Sequence, residues 1–253
     1  MIQNTQPGLT VITVVYNNVQ DIERTMLSVL GQSYPAIEYI VVDGQSTDGT
    51  LQVIEQYKPK LAKLISEKDK GIYDAMNKGL ALASGDYVIF MNSGDEFFDA
   101  DTVATVFAAA DNADIYYGET EMIAGNGESL GQRRHKAPEK FTWRGFKYGM
   151  SISHQAIYVR RALAEPYDMQ YQLSADIEWI IRAAKKAKKI INVNRYVAKY
   201  LVGGMSKKKH RQSLQERFAI MKRYYGLIPT ILNHFVIAFN LAWYWLKNKR
   251  TND

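Results

Sequence analysis

Three short acidic, glycine-containing stretches hold most of the chemistry this chain can offer. They are Asp43-Gly44-Gln45-Ser46-Thr47-Asp48-Gly49-Thr50, Ser66-Glu67-Lys68-Asp69-Lys70-Gly71 and Asn92-Ser93-Gly94-Asp95. Each follows a strand-like apolar run, and acidic loops so placed are what a nucleoside-diphosphate site on an α/β sheet requires. The Asp43 carboxylate could accept a hydrogen bond from N3–H of uracil or from the edge of guanine. It could equally cap its own turn, since Asp and Gly are ordinary turn residues. Asp69-Lys70-Gly71 opens a helix, where Gly71 lets the backbone turn closely and free N–H groups can meet an anionic ligand. Lys70 could contact phosphate or stay solvated. Asn77, later on that helix, reads as a structural contact to a neighbouring loop. Downstream, Ser174-Ala175-Asp176-Ile177-Glu178-Trp179 places two acids in a first helical turn, which suits the helix dipole. Glu178, two residues on from Asp176, projects elsewhere on that helix.

Regular elements must hold these loops. Residues 9–16 and 37–43 are β-branched and apolar, and 61–66 and 87–91 repeat that character. Helix-like segments lie between them: one over 21–30, with Ile22, Met26, Val29 and Leu30 on one face, one beginning near Asp48, and one over 72–83. Strand, helix, strand in this rhythm predicts a parallel sheet with crossover helices. Ligands of such sheets sit beyond the carboxyl ends of the strands, where the acidic loops fall. After Asp101 the pattern is less regular. Residues 115–121 and 129–132 read as short strands around a Gly125-Asn126-Gly127 turn, 136–149 as a helix with an aromatic cluster, and 153–159 as a return to the sheet. Ser174 reads as the N-cap of a helix reaching about Lys188, with Ile177, Ile180, Ile181 and Ala184 facing inward.

The order and wording of these stretches resemble the family 2 glycosyltransferases, which have the GT-A fold. The likeness is greatest to the bacterial branch that builds colanic acid, O-antigen and related surface polysaccharides. It runs from about residue 9 to residue 206 and includes Ser151-Ile152-Ser153-His154-Gln155-Ala156 and Gly203-Gly204-Met205-Ser206. The resemblance implies an α/β, Rossmann-like, mostly parallel central sheet with flanking helices and a C-terminal helical extension. It implies an inverting enzyme that moves a sugar from a nucleotide-diphosphate donor, a UDP-sugar being favoured. It assigns Asp43 to the base, with Tyr16 and Asn17 beside the base and ribose and with Asp69 and Gly71 in the same nucleotide site. Lys70, Ser93, His154, Gln155, Glu178 and Gly204 are assigned to the donor or acceptor pocket, Gly204 in a loop that could close over the diphosphate. A divalent cation, Mn²⁺ or Mg²⁺, would neutralise the leaving diphosphate. Asn92 and Gly94 stand where acids are common in the family, which leaves Asp95 as the expected metal ligand. Asp176 matches the family's acid at the head of the acceptor-side helix and is the expected catalytic base. No second His lies at metal spacing from His154, so a His-based metal site is not expected.

Composition sets the outer limits. A chain of 253 residues with 47% hydrophobic residues can bury one sizeable α/β core, with at most a small appendage. There is no cysteine, which excludes disulfides and thiolate chemistry and is compatible with a reducing cytosol. The polar first ten residues predict no cleaved secretory signal. Charge is uneven. Residues 1–206 carry 22 Lys and Arg against 24 Asp and Glu, a net −2, whereas residues 207–253 carry 10 against 2, a net +8. A basic face for nucleic acid would not be confined to a tail, and no nucleic-acid motif is present.

Residues 227–246 are apolar and aromatic, with Ile228, Ile231, Leu232, Phe235, Phe239, Trp243 and Leu246 at helical spacing. Pro229, Asn233, His234 and Asn240 argue against a membrane span. A basic flank beside an apolar, aromatic face predicts instead an interfacial helix on an anionic membrane. Packing of that face on the catalytic domain, or a homodimer contact, is the rival. The expected organisation is a catalytic domain over residues 1–206, with a nucleotide-binding half over about 1–100 and an acceptor half over about 101–206, then a helical tail over 207–253. The expected location is cytoplasmic, peripheral to the inner membrane, where a lipid-pyrophosphate-linked glycan acceptor would be found. Two rivals stay open: a GDP-sugar (fucosyl-type) transferase, and a non-catalytic nucleotide-sugar-binding scaffold suggested by the thinned acidic motif. A dinucleotide oxidoreductase is excluded, because no G-x-G-x-x-G follows the first strand.

Overall fold

A computed structural model of the chain describes residues 6–133, 136–203 and 210–249. Its frame is a nine-stranded sheet in the order β3-β2-β1-β4-β8-β6-β9-β5, with β7 pairing β6 off that path. The first four strands are β1 (Leu9–Val15), β2 (Ile37–Asp43), β3 (Lys63–Ser66) and β4 (Tyr87–Phe90). All are parallel to one another. Every residue of β1 is buried, as a central strand covered on both faces must be. The crossovers are α1 (Ile22–Leu30), α2 (Thr50–Gln56) and α3 (Ile72–Leu82), in the alternation that the sequence predicts. Helix α3 lies close on the sheet. A Cβ at Gly79 would come within 2.5 Å of the Ile12 side chain, so this helix position admits only glycine without repacking.

The second half is mixed. β5 (Glu96–Phe97) and α4 (Thr102–Ala108) follow β4, then β6 (Ile115–Ile123), β7 (Ser129–Gln132) and β8 (Ile157–Arg160). β8 runs antiparallel to both β4 and β6, while β6 pairs parallel with β9 (Ile190–Leu201). The segment expected as a helix over 136–149 is a 3₁₀ turn at Trp143–Tyr148, in a stretch that also holds Pro138, Gly145 and Gly149. Residues 153–159 divide into a 3₁₀ turn, His154–Ala156, and β8. Helix α5 (Ala175–Lys186) follows Ser174, whose hydroxyl does not cap it but meets Ser213 instead.

The tail forms α6 (His210–Tyr225) and α7 (Leu227–Lys249). α6 is tied to the head of α5 through Ser213 and through Glu216, which accepts the N–H groups of Gln172 and Leu173. α7 follows after Gly226, whose positive φ makes the turn. Among the described residues no helix is long and apolar enough to cross a membrane.

Candidate active site

Asp43 ends β2, and Tyr16, Asp69 and Asn92 lie just beyond the carboxyl ends of β1, β3 and β4, which brings the three acidic loops to one edge of the sheet. Asp43 is fully buried, and its carboxylate accepts Ser46 N–H at 3.1 Å and the Ser66 hydroxyl at 2.6 Å. In this arrangement it caps its turn. The next residue, Gly44, is where three groups converge. A Cβ there would lie 2.9 Å from Asp69 Oδ2 and 3.3 Å from the Tyr16 ring. Tyr16 is 66% exposed, an apolar platform left uncovered beside two carboxylates. Asn17 serves the loop rather than the open edge, accepting Thr47 N–H at 2.8 Å while its own N–H donates to Ser46 Oγ. Gln45 adopts φ +65°, a left-handed conformation that a side chain of this kind rarely takes. Such strain is held where a loop's shape matters.

The second loop is fixed by a residue outside the expected site. Lys78 reaches back from α3 to Asp69 Oδ1 at 2.6 Å and to Glu67 at 2.9 Å. Burial opposes the charge on Lys78, but the two carboxylates outweigh it and raise its pKa above the ordinary lysine range. Gly71, at φ +127°, begins α3. The Lys70 side chain is exposed and forms no ion pair among the described residues, while its N–H donates to Asp74. Asn77 has the structural role expected of it, exchanging hydrogen bonds with the backbone of Tyr167.

In the first turn of α3, the Tyr73 hydroxyl donates to Asp176 Oδ1 at 3.1 Å. This bond brings the acid at the head of α5 to the start of α3, beside the Asp69 loop. Burial, and then the Asp176 charge, push the Tyr73 pKa well above its ordinary value, so the phenol stays a donor. Tyr73 stacks on Tyr167, which stacks on Trp179, and Phe90 meets both of these rings edge-on. Asp176 is thus backed by aromatic surface yet keeps 19% side-chain exposure. On its other side His154 Nδ1 lies 3.9 Å from Oδ2, and His154 Nε2 lies 3.0 Å from the Asn92 amide nitrogen. Burial lowers the His154 pKa, only partly offset by Asp176, which favours the neutral ring. Gln155 is buried next to it, with an amide nitrogen that has no acceptor.

Other expected residues lie apart from this cluster. Ser93 accepts from the Asn18 amide at 3.0 Å and helps join the first and third loops. Glu178 is buried between α5 and α6, bonded to Arg182 at 3.0 Å and to the Tyr224 hydroxyl. It is a packing residue with no open face. Gly204 lies outside the described residues. Asp95 is 5% exposed and accepts Leu201 N–H at 3.2 Å, so its carboxylate faces β9. Burial raises its pKa to about 8. Gly94 cannot be an acid here: its φ is +101°, and a Cβ would sit 2.7 Å from Leu201 Cδ2. With Asp95 buried and bonded to Leu201 N–H, and with Asn92 and Gly94 beside it in place of acids, the third loop does not fit a cation held by the chain's own carboxylates. Among the described residues no group of three or more His, Asp or Glu gathers closely enough to hold a metal.

Residues 10–165 match the family model "Glycosyl transferase family 2", more than half of the chain. The chain belongs to glycosyltransferase family 2. An uncharacterised glycosyltransferase of Mycobacterium tuberculosis is 36% identical over 185 residues, covering 70% of this chain and 69% of its own. A putative teichuronic acid biosynthesis glycosyltransferase of Bacillus subtilis is 41% identical over 97 residues, 37% of this chain and 38% of its own. Among solved structures, Staphylococcus aureus TarS residues 1–349 superpose with a TM-score of 0.69 at 22% identity, covering 90% of this chain and 72% of that one. TarS has also been crystallised with UDP and with UDP-GlcNAc. A mannosyltransferase of Pyrobaculum calidifontis, in complex with GDP-Man and Mn²⁺, matches with a TM-score of 0.65 at 19% identity over 98% and 83% of the two chains. At these identities the structures establish the GT-A fold of this glycosyltransferase and nothing finer.

The burial of Asp95 gives a prediction with a definite sign. A carboxyl whose folded-state pKa lies above its unfolded value contributes stability that is present below about pH 4 and lost as pH rises through about 8. Asp95→Asn copies the protonated form. Denaturant melts from pH 5 to 9 should therefore show a flatter pH dependence for the variant than for the parent. Nucleotide binding should be unchanged. A selective loss of metal-dependent nucleotide binding in the variant would instead restore Asp95 as a metal ligand.

Proposed function

We propose that this glycosyltransferase moves a sugar from a nucleotide-diphosphate donor, with inversion, to a lipid-linked glycan in bacterial surface polysaccharide synthesis. The observation that carries the reading is the Tyr73–Asp176 hydrogen bond, which sets an acid on the acceptor-side helix beside the Asp69 loop. The nucleoside would rest on the exposed Tyr16 ring, with its base toward Asp43 and its ribose toward Asp69. The diphosphate would meet the free N–H groups at the start of α3, made accessible by Gly71. Asp176 would take the proton of the acceptor hydroxyl as that oxygen attacks the anomeric carbon opposite the leaving diphosphate. Tyr73 orients one carboxylate oxygen and leaves the other for the acceptor. The neutral His154 ring adds no competing cation. A divalent cation is the family's expected cofactor and accompanies GDP-Man in the P. calidifontis neighbour. Here it would have to be held mainly by the diphosphate itself.

UDP is the favoured nucleotide, in keeping with the TarS complexes, and GDP is the alternative, in keeping with the mannosyltransferase complex. Residues 1–206 would form the catalytic domain, and the tail would carry it to the membrane. In support of the latter, Ile228, Leu232, Phe235 and Phe239 of α7 expose about 60–70% of their surface along one side.

Thermal melts with UDP and GDP, each with Mn²⁺, Mg²⁺ or chelator, test the donor site, because a ligand of the native state must raise the midpoint. One nucleotide should stabilise the protein, and Asp176→Asn should keep that shift while lowering sugar transfer by about 100-fold or more. Unchanged turnover in Asp176→Asn would remove Asp176 from the mechanism. No shift with either nucleotide would favour a non-catalytic scaffold. For the tail, Phe235→Glu should reduce co-sedimentation with anionic vesicles; equal sedimentation of a concentration-dependent dimer would assign the face to a second copy.

A further inference from the structure

Two arginines near the head of α5 and the His154 turn have no part in the reading above. Arg133, just after β7, donates to the hydroxyl of Ser153, the neighbour of His154. A guanidinium has five N–H donors, and this one forms no carboxylate ion pair among the described residues. Arg217 lies one turn beyond Ser213 on α6, on the face that meets Ser174 at the head of α5. Its Nε is buried with no acceptor. The Arg133 guanidinium lies within electrostatic reach of both Arg217 and Asp176. Burial lowers the Arg133 pKa and Arg217 adds to that effect, while Tyr200, Glu119 and Asp176 oppose it. Guanidiniums with unused N–H donors present planar forks that match the oxygens of phosphate groups.

We propose that Arg133 and Arg217 form a binding pair for a phosphate or diphosphate group at the Asp176 site. The proposal rests on the transferase reading for its biological ligand but not for its chemistry. That ligand is either the donor diphosphate or the pyrophosphate of a lipid-linked acceptor, which present the same anionic oxygens. Where the chain lacks carboxylates to hold a cation, the pair supplies positive charge from the protein itself.

The test is calorimetric titration of inorganic pyrophosphate into the full-length protein, Arg133→Gln and Arg217→Gln. The parent should bind pyrophosphate, and each variant should bind it about 10-fold or more weakly, as expected for loss of charge-assisted hydrogen bonds. Each variant's own melting curve reports folding, and Arg217→Gln, on the half-exposed α6 face, carries the test if Arg133→Gln does not fold. Saturation with UDP or GDP beforehand separates the sources: abolished pyrophosphate binding assigns the pair to the donor, and retained binding assigns it to the acceptor. Nucleotide stabilisation with no pyrophosphate binding, or with pyrophosphate binding equal in parent and Arg217→Gln, overturns the pair and leaves the donor site standing. Arginine-dependent pyrophosphate binding without any nucleotide binding supports the pair and overturns the donor site.

Discussion

The hydrogen bond from Tyr73 to Asp176 joins the two halves of this fold at the site proposed for its chemistry. One partner belongs to the first turn of α3, a crossover of the parallel half. The other belongs to α5, which packs behind the mixed half. The aromatic stack of Tyr73, Tyr167 and Trp179 makes that contact rigid, since each ring is buried and each is held by its neighbour. Helix α3 is in turn fixed on the sheet by the close approach at Gly79 and on the Asp69 loop by Lys78. A shift of α3 would therefore move the Asp69 loop and the orientation of Asp176 together.

Charge is distributed unevenly around this contact. Asp43 and Asp69 are satisfied by the protein before any ligand arrives, through Ser46, Ser66 and Lys78. Asp95 is buried against β9 and holds its proton near neutrality. The third loop, in which Asn92 and Gly94 stand where the family has acids, is thus packed inward at its end, and the groups proposed to act lie at Tyr16, at the start of α3 and around Asp176.

The parallel half was legible because its strands are β-branched runs separated by Asp- and Gly-rich loops, with short-range periodicity throughout. β2 even has the expected bounds. The mixed half was not. β9 interleaves Asn192, Asn194, Arg195 and Lys199 with its apolar residues, and long-range pairing with β6 and β5 makes it a strand. Gly94 read as a missing acid, whereas its reasons are a φ of +101° and the approach of Leu201, 107 positions on, neither of which the sequence reveals. Tyr73 was hidden for the same reason, its partner being 103 residues away. Two signals were local and available: Glu178 and Arg182 at i,i+4 spacing, and Lys78 four residues after Asp74.

A double-mutant cycle of Tyr73→Phe and Asp176→Asn, read as the rate of nucleoside-diphosphate release from the donor that stabilises the protein, tests the central claim most directly. If Tyr73 acts by orienting the Asp176 carboxylate, Tyr73→Phe slows release about 10-fold in the parent and has little further effect in Asp176→Asn, a coupling of about 1.4 kcal/mol. Equal effects of Tyr73→Phe in both backgrounds would mean that the two residues act independently, and the account of the site built on their contact would be wrong.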